Sequence, residues 1–341
     1  MSVSHRGRPV EAIISLTNRC DARCRMCNIW RIPRDEFLCA EDYRNLPASL
    51  KNVNITGGEA LLRPDAIEII QTIYESTGRP RMIVATNGFR PEKTIEQMLT
   101  IRAFAHDVGV AVSLDGIESR HDYIRGVPHA YSRVLQTIKS LVAEGITDIR
   151  IGYTATAENI DQLPLVYHLA DELGVELSAT VAQNSETYYA IANLEKIDPD
   201  LVERYFGMLI DCHLKSFVMK DWFRAYFAHG VIHFVKHGRR MTACSAATDF
   251  FYLSPQGDVY PCLTLPDKIG NLRDAPFDTL WFSERAMAVA KQAQRCQACW
   301  MVCTARVELK KAPIKAVAWV LREKLARHLV HTVDTGRDPQ T

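Results

Sequence analysis

Short apolar runs recur along the first half of the chain, separated by longer stretches with helical spacing. Ala12–Leu16 (AIISL), Asn52–Thr56 (NVNIT), Arg81–Thr86 (RMIVAT), Val108–Leu114 (VGVAVSL), Asp148–Thr154 (DIRIGYT) and Val175–Val181 (VELSATV) read as strands. Between them lie a short helix near Ala40–Leu46 and one beginning after Pro64, with Ile67, Ile70 and Ile73 on one face. Further helices fall at about Pro91–Phe104, at Ala130–Glu144 closed by Gly145, and at Ile160–Leu173 closed by Gly174. Six strand–helix alternations without an intervening hairpin predict an α/β fold, a partial (βα)6 parallel barrel over residues 1–197. Residues 1–11 are too short to fold alone.

The pattern then changes. Residues 198–240 are helical and aromatic (Tyr205, Phe206, Phe217, Trp222, Phe223, Tyr226, Phe227), a bridge whose rings serve a core better than a substrate platform. Residues 241–306 predict a small α+β unit: Asp249–Leu263 alternates and turns at Pro255-Gln256-Gly257-Asp258, a hairpin with Cys262 near its end, before a helix around Asp278–Gln294. Over 307–341 a C-terminal helix begins after Ala312 and a frayed tail spans about Asp334–Thr341. The helix carries an apolar stripe of Ile314, Val317, Leu321, Leu325 and Leu329, with Lys315, Arg322, Lys324 and Arg327 off it. Trp319 and Val320 lie outside the stripe and are expected to be exposed where one intramolecular groove takes the stripe, unless that groove is wide. Such a helix seats its stripe in an intramolecular groove or lies on an anionic membrane surface, a possible peripheral contact.

Composition narrows the classes. A net charge of +1 offers no basic bias, so no nucleic-acid partner is expected. Residues 1–10 lack the apolar core of a signal peptide and no run approaches membrane-spanning length. Ten cysteines in such a chain predict a reducing, cytoplasmic setting with thiols kept for metal rather than disulfides. Eight of the ten fall in two groups, 20–27 and 244–303, which predicts two metal sites and leaves Cys39 and Cys212 over.

Cys20, Cys24 and Cys27 follow the first strand as Cys-x3-Cys-x2-Cys, with Trp30 shortly after and four arginines (Arg19, Arg23, Arg25, Arg31) around them. No fourth cysteine follows nearby, whereas structural zinc is closed by four ligands. Three thiolates on a four-iron cluster leave one iron open. This loop after a first strand resembles the radical S-adenosylmethionine (radical SAM) enzymes. The resemblance implies that S-adenosylmethionine chelates the open iron of a [4Fe-4S] cluster, and that an external one-electron donor of flavodoxin or ferredoxin type reduces it.

The other candidate motifs also fall at the C-terminal ends of strands, where parallel barrels collect their chemistry. Gly57-Gly58-Glu59 follows the second strand; glycines admit close backbone approach, and a carboxylate accepts from an ammonium. In the family this motif holds the methionine amino group, usually with Pro next, where this chain has Ala60. Asn87, in Thr86-Asn87-Gly88, suits ligand contact or a turn. Ser113 and Asp115 share a face of Ser113-Leu114-Asp115-Gly116, which the family places around the ribose and methionine carboxylate. Gly152 lies in the fifth strand. His121-Asp122-Tyr123-Ile124-Arg125-Gly126 resembles a segment of members with an auxiliary-cluster domain; Arg125 binds the methionine carboxylate, a substrate anion, or ties down the loop. No P-loop, G-x-G-x-x-G or H-E-x-x-H competes.

The second cysteine group, Cys244-x12-Gly257-x4-Cys262, then Cys296-x2-Cys299-x3-Cys303, resembles the twitch and SPASM auxiliary-cluster domains. Five cysteines suffice for one four-ligand auxiliary [4Fe-4S] site; Cys244 and Cys262 are the firmer ligands, two more come from Cys296, Cys299 and Cys303, and structural zinc is the alternative. The implied chemistry is hydrogen abstraction from a substrate C–H by a 5′-deoxyadenosyl radical. Oxidative modification of a small molecule or glycan precursor is the leading expectation, then maturation of a ribosomal peptide by cross-linking or epimerisation, then a non-enzymatic electron-transfer role. Cys212 is a buried structural residue or, in an epimerase, a hydrogen-atom donor.

Overall fold

The structure, a computed structural model, describes residues 7–32, 37–192 and 194–334, with side chains to 327 in the last helix. The expectations for the first six residues, for the tail beyond Asp334 and for the Leu329 side chain lie outside the described residues.

Six parallel strands follow one another: β1 (Glu11–Ser15), β2 (Asn52–Thr56), β3 (Arg81–Thr86), β4 (Gly109–Ser113), β5 (Ile149–Ala155) and β6 (Glu176–Val181). The helices between them are α1 (Ala66–Ser76), α2 (Pro91–Phe104), α3 (Ser119–Arg125), α4 (Ala130–Ala143) and α5 (Leu163–Glu172). β1 is buried throughout, whereas β2 and β5 have two unlike faces. In β5, Ile149, Ile151, Tyr153 and Ala155 are buried, while Arg150, Gly152 and Thr154 are half-buried. In β2, Val53 and Ile55 are buried and Asn52, Asn54 and Thr56 are not. The buried set joins the core under the helices. The other set turns to the barrel lumen, where Thr56, Ala85, Ser113, Thr154 and Thr180 share one cavity. Period-two alternation therefore built the lumen wall and the helix-facing core together.

After β6 come α6 (Pro199–Lys215) and α7 (Met219–His237), which pack on each other as the aromatic bridge. Next are β7 (Phe250–Leu253), β8 (Asp258–Tyr260), β9 (Gly270–Asn271), α8 (Phe277–Trp281), α9 (Glu284–Arg295), α10 (Val302–Lys311) and α11 (Pro313–Asp334). β7 pairs in parallel with the free edge of β1, Glu11 opposite Phe250, and β8 and β9 extend the sheet antiparallel. The cysteine-bearing hairpin thus continues the barrel sheet. An unpaired β1 edge would leave backbone donors and acceptors exposed, and the fully buried β7 occupies it.

The expected helix over 278–294 is two helices. Ser283 caps the second, its hydroxyl accepting from the Ala286 N–H at 3.1 Å, and so ends the first.

The expectation for the C-terminal helix is reversed. Val320 and Ala316 are buried, and Trp319 stacks on His229 and meets Tyr226 edge-on, both on α7. Ile314, Leu321 and Leu325 of the stripe are 80%, 53% and 61% exposed. Two faces of α11 are apolar, and the aromatic surface of α7 selects the one bearing a broad ring beside small Ala316.

Candidate active site

The loop after β1 carries the three cysteines across the C-terminal mouth of the barrel. Two strand ends brace it. The Gly58 N–H donates to the Thr17 carbonyl and the Glu59 N–H to the Arg19 carbonyl, both at 2.7 Å. A Cβ on Gly57, at φ +151°, would stand 2.5 Å from the Thr17 carbonyl oxygen, and one on Gly58 would press on Arg19. The two glycines are therefore demanded by the cysteine loop itself. From the other side, the Arg125 carbonyl accepts from the Arg23 N–H at 2.9 Å and the Ile124 carbonyl from the Arg25 N–H at 3.0 Å. Arg23 turns its guanidinium onto the carbonyls of Cys20 and Ala22 and stacks over Trp30. The arginines at the loop are braces, and Arg25 pairs with Glu158 at 2.7 Å.

Cys20, Cys24 and Cys27 line a cavity of about 190 Å³ with Gly57, Gly58, Asn87, Ser113 and Arg125. Eight of the predicted residues thus meet. Glu59, Asp115 and Gly152 stand outside this lining. Glu59 is buried behind the wall, accepting the Asn87 N–H at 2.6 Å and the Leu61 N–H at 3.3 Å. Asp115 is buried in an ion pair with Arg125 at 2.6 Å and accepts the Thr154 N–H at 2.7 Å. Its own N–H donates to His121 Nδ1 at 3.0 Å. Arg125 spans from Asp115 to Cys24, its Nη1 3.6 Å from Sγ. Burial acts against the Arg125 charge, and Asp115 together with Cys24 and Cys20 more than offsets it, so the guanidinium stays protonated. Nothing lies within 3.4 Å of a Cβ built on Gly152, so no contact there requires glycine. Cys212 is not brought here; it sits on α6, in a separate cleft with Tyr167 and Asp221.

Residues that sequence reasoning passed over complete the wall. Tyr188, buried, and Tyr189, half-buried, from the segment after β6, meet edge to face at 4.7 Å. The Tyr188 hydroxyl bonds Thr56 Oγ1 at 2.7 Å and the Gly57 carbonyl at 3.1 Å. The Tyr189 carbonyl accepts the Asn28 N–H at 2.7 Å. Met301, between Cys299 and Cys303 of the second cysteine group, also lines the cavity. The signal available was positional: this segment follows a strand's C-terminal end, as the other motifs do.

Burial pushes the Cys20 and Cys27 thiols up to about 12, so metal binding here displaces protons. Among the described residues no three His, Cys, Asp or Glu side chains close on a point suited to a lone ion. Three thiols along one wall, with Arg125 Nε and Thr180 Oγ1 buried and unpartnered nearby, fit a larger group with polar substituents. Such a wall can hold a four-iron cluster from one side and leave an iron facing the cavity.

Burial also pushes the Glu59 carboxyl up to about 7, against the pull of the Asn87 N–H. From an ordinary value of 4.5, its ionisation opposes folding increasingly as pH rises, fully so above about 7. Glu59→Gln should therefore stabilise the cofactor-free chain more at pH 8 than at pH 5, by on the order of 2–3 kcal/mol, read from urea midpoints. Equal effects at both pH values would show Glu59 ionised throughout.

In the second group Cys244, Cys262, Cys299 and Cys303 are buried and Cys296 is half-buried. Cys262 lies within electrostatic reach of the other four, and Cys303 also of Cys244 and Cys299. Tyr189 is in such reach of both groups, of Cys27 on one side and of Cys303 and Cys299 on the other.

Comparison with known proteins identifies the arrangement. Residues 14–170 match the radical SAM superfamily, and residues 244–300 match an iron–sulfur cluster-binding domain named SPASM. The chain is 30% identical to the AdoMet-dependent heme synthase of Methanosarcina barkeri over 241 residues, 67% of each protein. It is 27% identical to the mycofactocin maturase MftC of Mycobacterium ulcerans over 72% of this chain and 66% of that one. In fold it resembles Streptococcus suis SuiB, solved with S-adenosylmethionine, with a TM-score of 0.64 at 16% identity, covering 84% of this chain and 68% of that one. The iron–sulfur domain replaces the zinc alternative, and enzymatic relatives replace the electron-transfer one. The chain belongs to the radical SAM superfamily, as an enzyme whose cofactors are S-adenosylmethionine and [4Fe-4S] clusters and whose barrel is followed by an auxiliary iron–sulfur domain.

Proposed function

We propose that the chain oxidises a small molecule at an unactivated C–H bond in the cavity beneath Cys20, Cys24 and Cys27. When bound, the first cluster with S-adenosylmethionine supplies a 5′-deoxyadenosyl radical for hydrogen abstraction, and the second supplies an acceptor for the electron the substrate gives up. One observation carries the oxidative reading: Tyr189 lies in electrostatic reach of both cysteine groups while lining the cavity, so the residues that would hold an electron acceptor lie close to it. The heme synthase relative supports a small-molecule substrate, and the maturase relative supports a peptide as the second reading. The protein's own part is to orient and to exclude water: Asp115 fixes Arg125 at the wall, Glu59 holds the Asn87 N–H from behind it, and Tyr188 ties the Gly57 turn to β2. Reduced, cofactor-loaded protein should form more 5′-deoxyadenosine with the small-molecule filtrate of a cell extract than without it. Stimulation confined to the extract's peptide fraction would move the assignment to peptide maturation.

Hydrogen bonds to sulfur support a ligand set. Cys20 accepts from Ala22 and Cys27 from Ile29; in the second group Cys244 accepts from Ala246, Cys262 from Thr264 and Cys296 from Ala298, each two residues on. Cys299 receives Arg240 Nη1 at 3.6 Å. Among the described residues Cys303 has no such donor. We assign Cys244, Cys262, Cys296 and Cys299 to the auxiliary cluster, because N–H···S bonds stabilise ligating thiolates. Cys303→Ala should retain about eight irons per chain after anaerobic reconstitution and Cys262→Ala about four. Equal losses would place Cys303 among the ligands.

No helix among the described residues is long and apolar enough to cross a membrane. Ten unpaired thiols support a reducing, cytoplasmic setting and a small redox protein as electron donor. Peripheral attachment through α11 is supported by exposed Ile314, Leu321 and Leu325 beside exposed Lys315 and Arg322. The protein should bind anionic vesicles in a salt-sensitive way, with binding lost in Leu321→Glu/Leu325→Glu and on truncation after Ala312. Unchanged binding in the double variant would remove α11 from the membrane.

A further inference from the structure

At the opposite end of the lumen, where the strands begin, lies a second cavity of about 320 Å³. Its wall is apolar: Leu177 and Ala179 of β6, Leu209 of α6, Phe223 and Phe227 of α7, and Leu309 of α10. Six cations also line it, gathered two to a carboxylate. Asp148 holds Arg81 and Arg150, Glu176 holds Lys220 and Arg224, and Glu11 holds Arg306 and Lys310. Asp221 adds a fourth carboxylate, 3.0 Å from Arg224, and the cations still outnumber the anions. His213 alters nothing, because burial brings it down to about 4 and keeps it neutral near pH 7. Arg150 Nε is buried without a partner. Lys220, Lys310 and Arg81 are the more exposed of the six and mark the mouth.

An apolar concavity left to water forgoes about 25 cal/mol for each Å² that a ligand would cover. Surplus cations around it raise the local concentration of anions. Both conditions are met by one kind of molecule. We propose that this cavity binds an amphipathic anion, an apolar chain or ring ending in a carboxylate or phosphate. The apolar body lies against Phe223, Phe227 and Leu177, and the head meets Lys220, Lys310 and Arg81 at the mouth. The cavity shares no lining residue with the one under the cysteine loop; Ala179 and Val302 line it where their neighbours Thr180 and Met301 line the other. It is a separate binding site, and its occupancy does not depend on the oxidation proposed above.

Calorimetry on the cofactor-loaded protein tests this with decyl phosphate and decanoate as probes, against decanol, decyltrimethylammonium and inorganic phosphate. At least one anionic amphiphile should bind saturably at one per chain, and the three controls at least about tenfold more weakly. Lys220→Gln/Lys310→Gln, at the exposed mouth, should weaken the anion about tenfold, and Ala179→Phe, which fills the cavity, should abolish binding. 5′-Deoxyadenosine formation should be unchanged in the charge variant. Decanol binding as tightly as the anions, anion binding that survives both variants, or no anion binding would each overturn the proposal. If Ala179→Phe does not fold, the charge variant decides.

Discussion

Replacing Cys20, Cys24 and Cys27 together by Ala should abolish S-adenosylmethionine cleavage and leave about four irons where the native chain reconstitutes about eight. The three thiols share one loop and one cavity wall, and burial keeps each of them protonated until metal displaces the proton. Removing all three leaves no ligand on that wall. The loop should keep its course, because it is held by backbone bonds to Gly58, Glu59, Ile124 and Arg125 rather than by the thiols. The auxiliary cysteines occupy other elements and should retain their iron. Retention of all the iron, or cleavage by the triple variant, would contradict the site.

Asp115→Ala should cost about 3–5 kcal/mol of stability, because it leaves the buried Arg125 guanidinium without its counter-charge. The carboxylate sits against Arg125 at 2.6 Å and takes the Thr154 N–H at 2.7 Å, so one substitution orphans a cation and a β5 amide. The damage should spread to the cysteine loop, because the Arg125 carbonyl accepts from Arg23 while its side chain reaches Cys24. Asp115→Ala/Arg125→Met should recover much of the loss, since no uncompensated charge remains buried. Urea unfolding of the two variants measures this, and a change below about 0.5 kcal/mol in the single variant would mean water or another group already serves Arg125.

Asp115 also shows how far the sequence could be read. Strand alternation grouped it with Ser113 on one face, yet Ser113 reaches the cavity while Asp115 lies behind the wall holding Arg125. A two-residue period gives direction, not depth. The strands were legible because β2 and β5 carry their own alternation and β1 and β3 are short apolar runs, and the cysteine loop because its spacing is local. The fit of Gly57 and Gly58 against Thr17 and Arg19 was not, since it depends on a segment distant in sequence. The parallel pairing of β7 with β1 and the placement of Tyr188 against Thr56 and Gly57 are long-range in the same way. The face of α11 was unreadable for another reason: both candidate faces are apolar, and the rings of Tyr226 and His229 on α7 decide between them.

The central claim, that the cavity under the three cysteines performs radical chemistry on S-adenosylmethionine, is tested most directly by product formation. Anaerobically reconstituted protein is reduced with dithionite, supplied with S-adenosylmethionine, and assayed for 5′-deoxyadenosine and methionine. Equal amounts of the two, formed only with reductant, are the predicted result. A fully iron-loaded protein that binds S-adenosylmethionine and forms neither product under reduction would contradict the account.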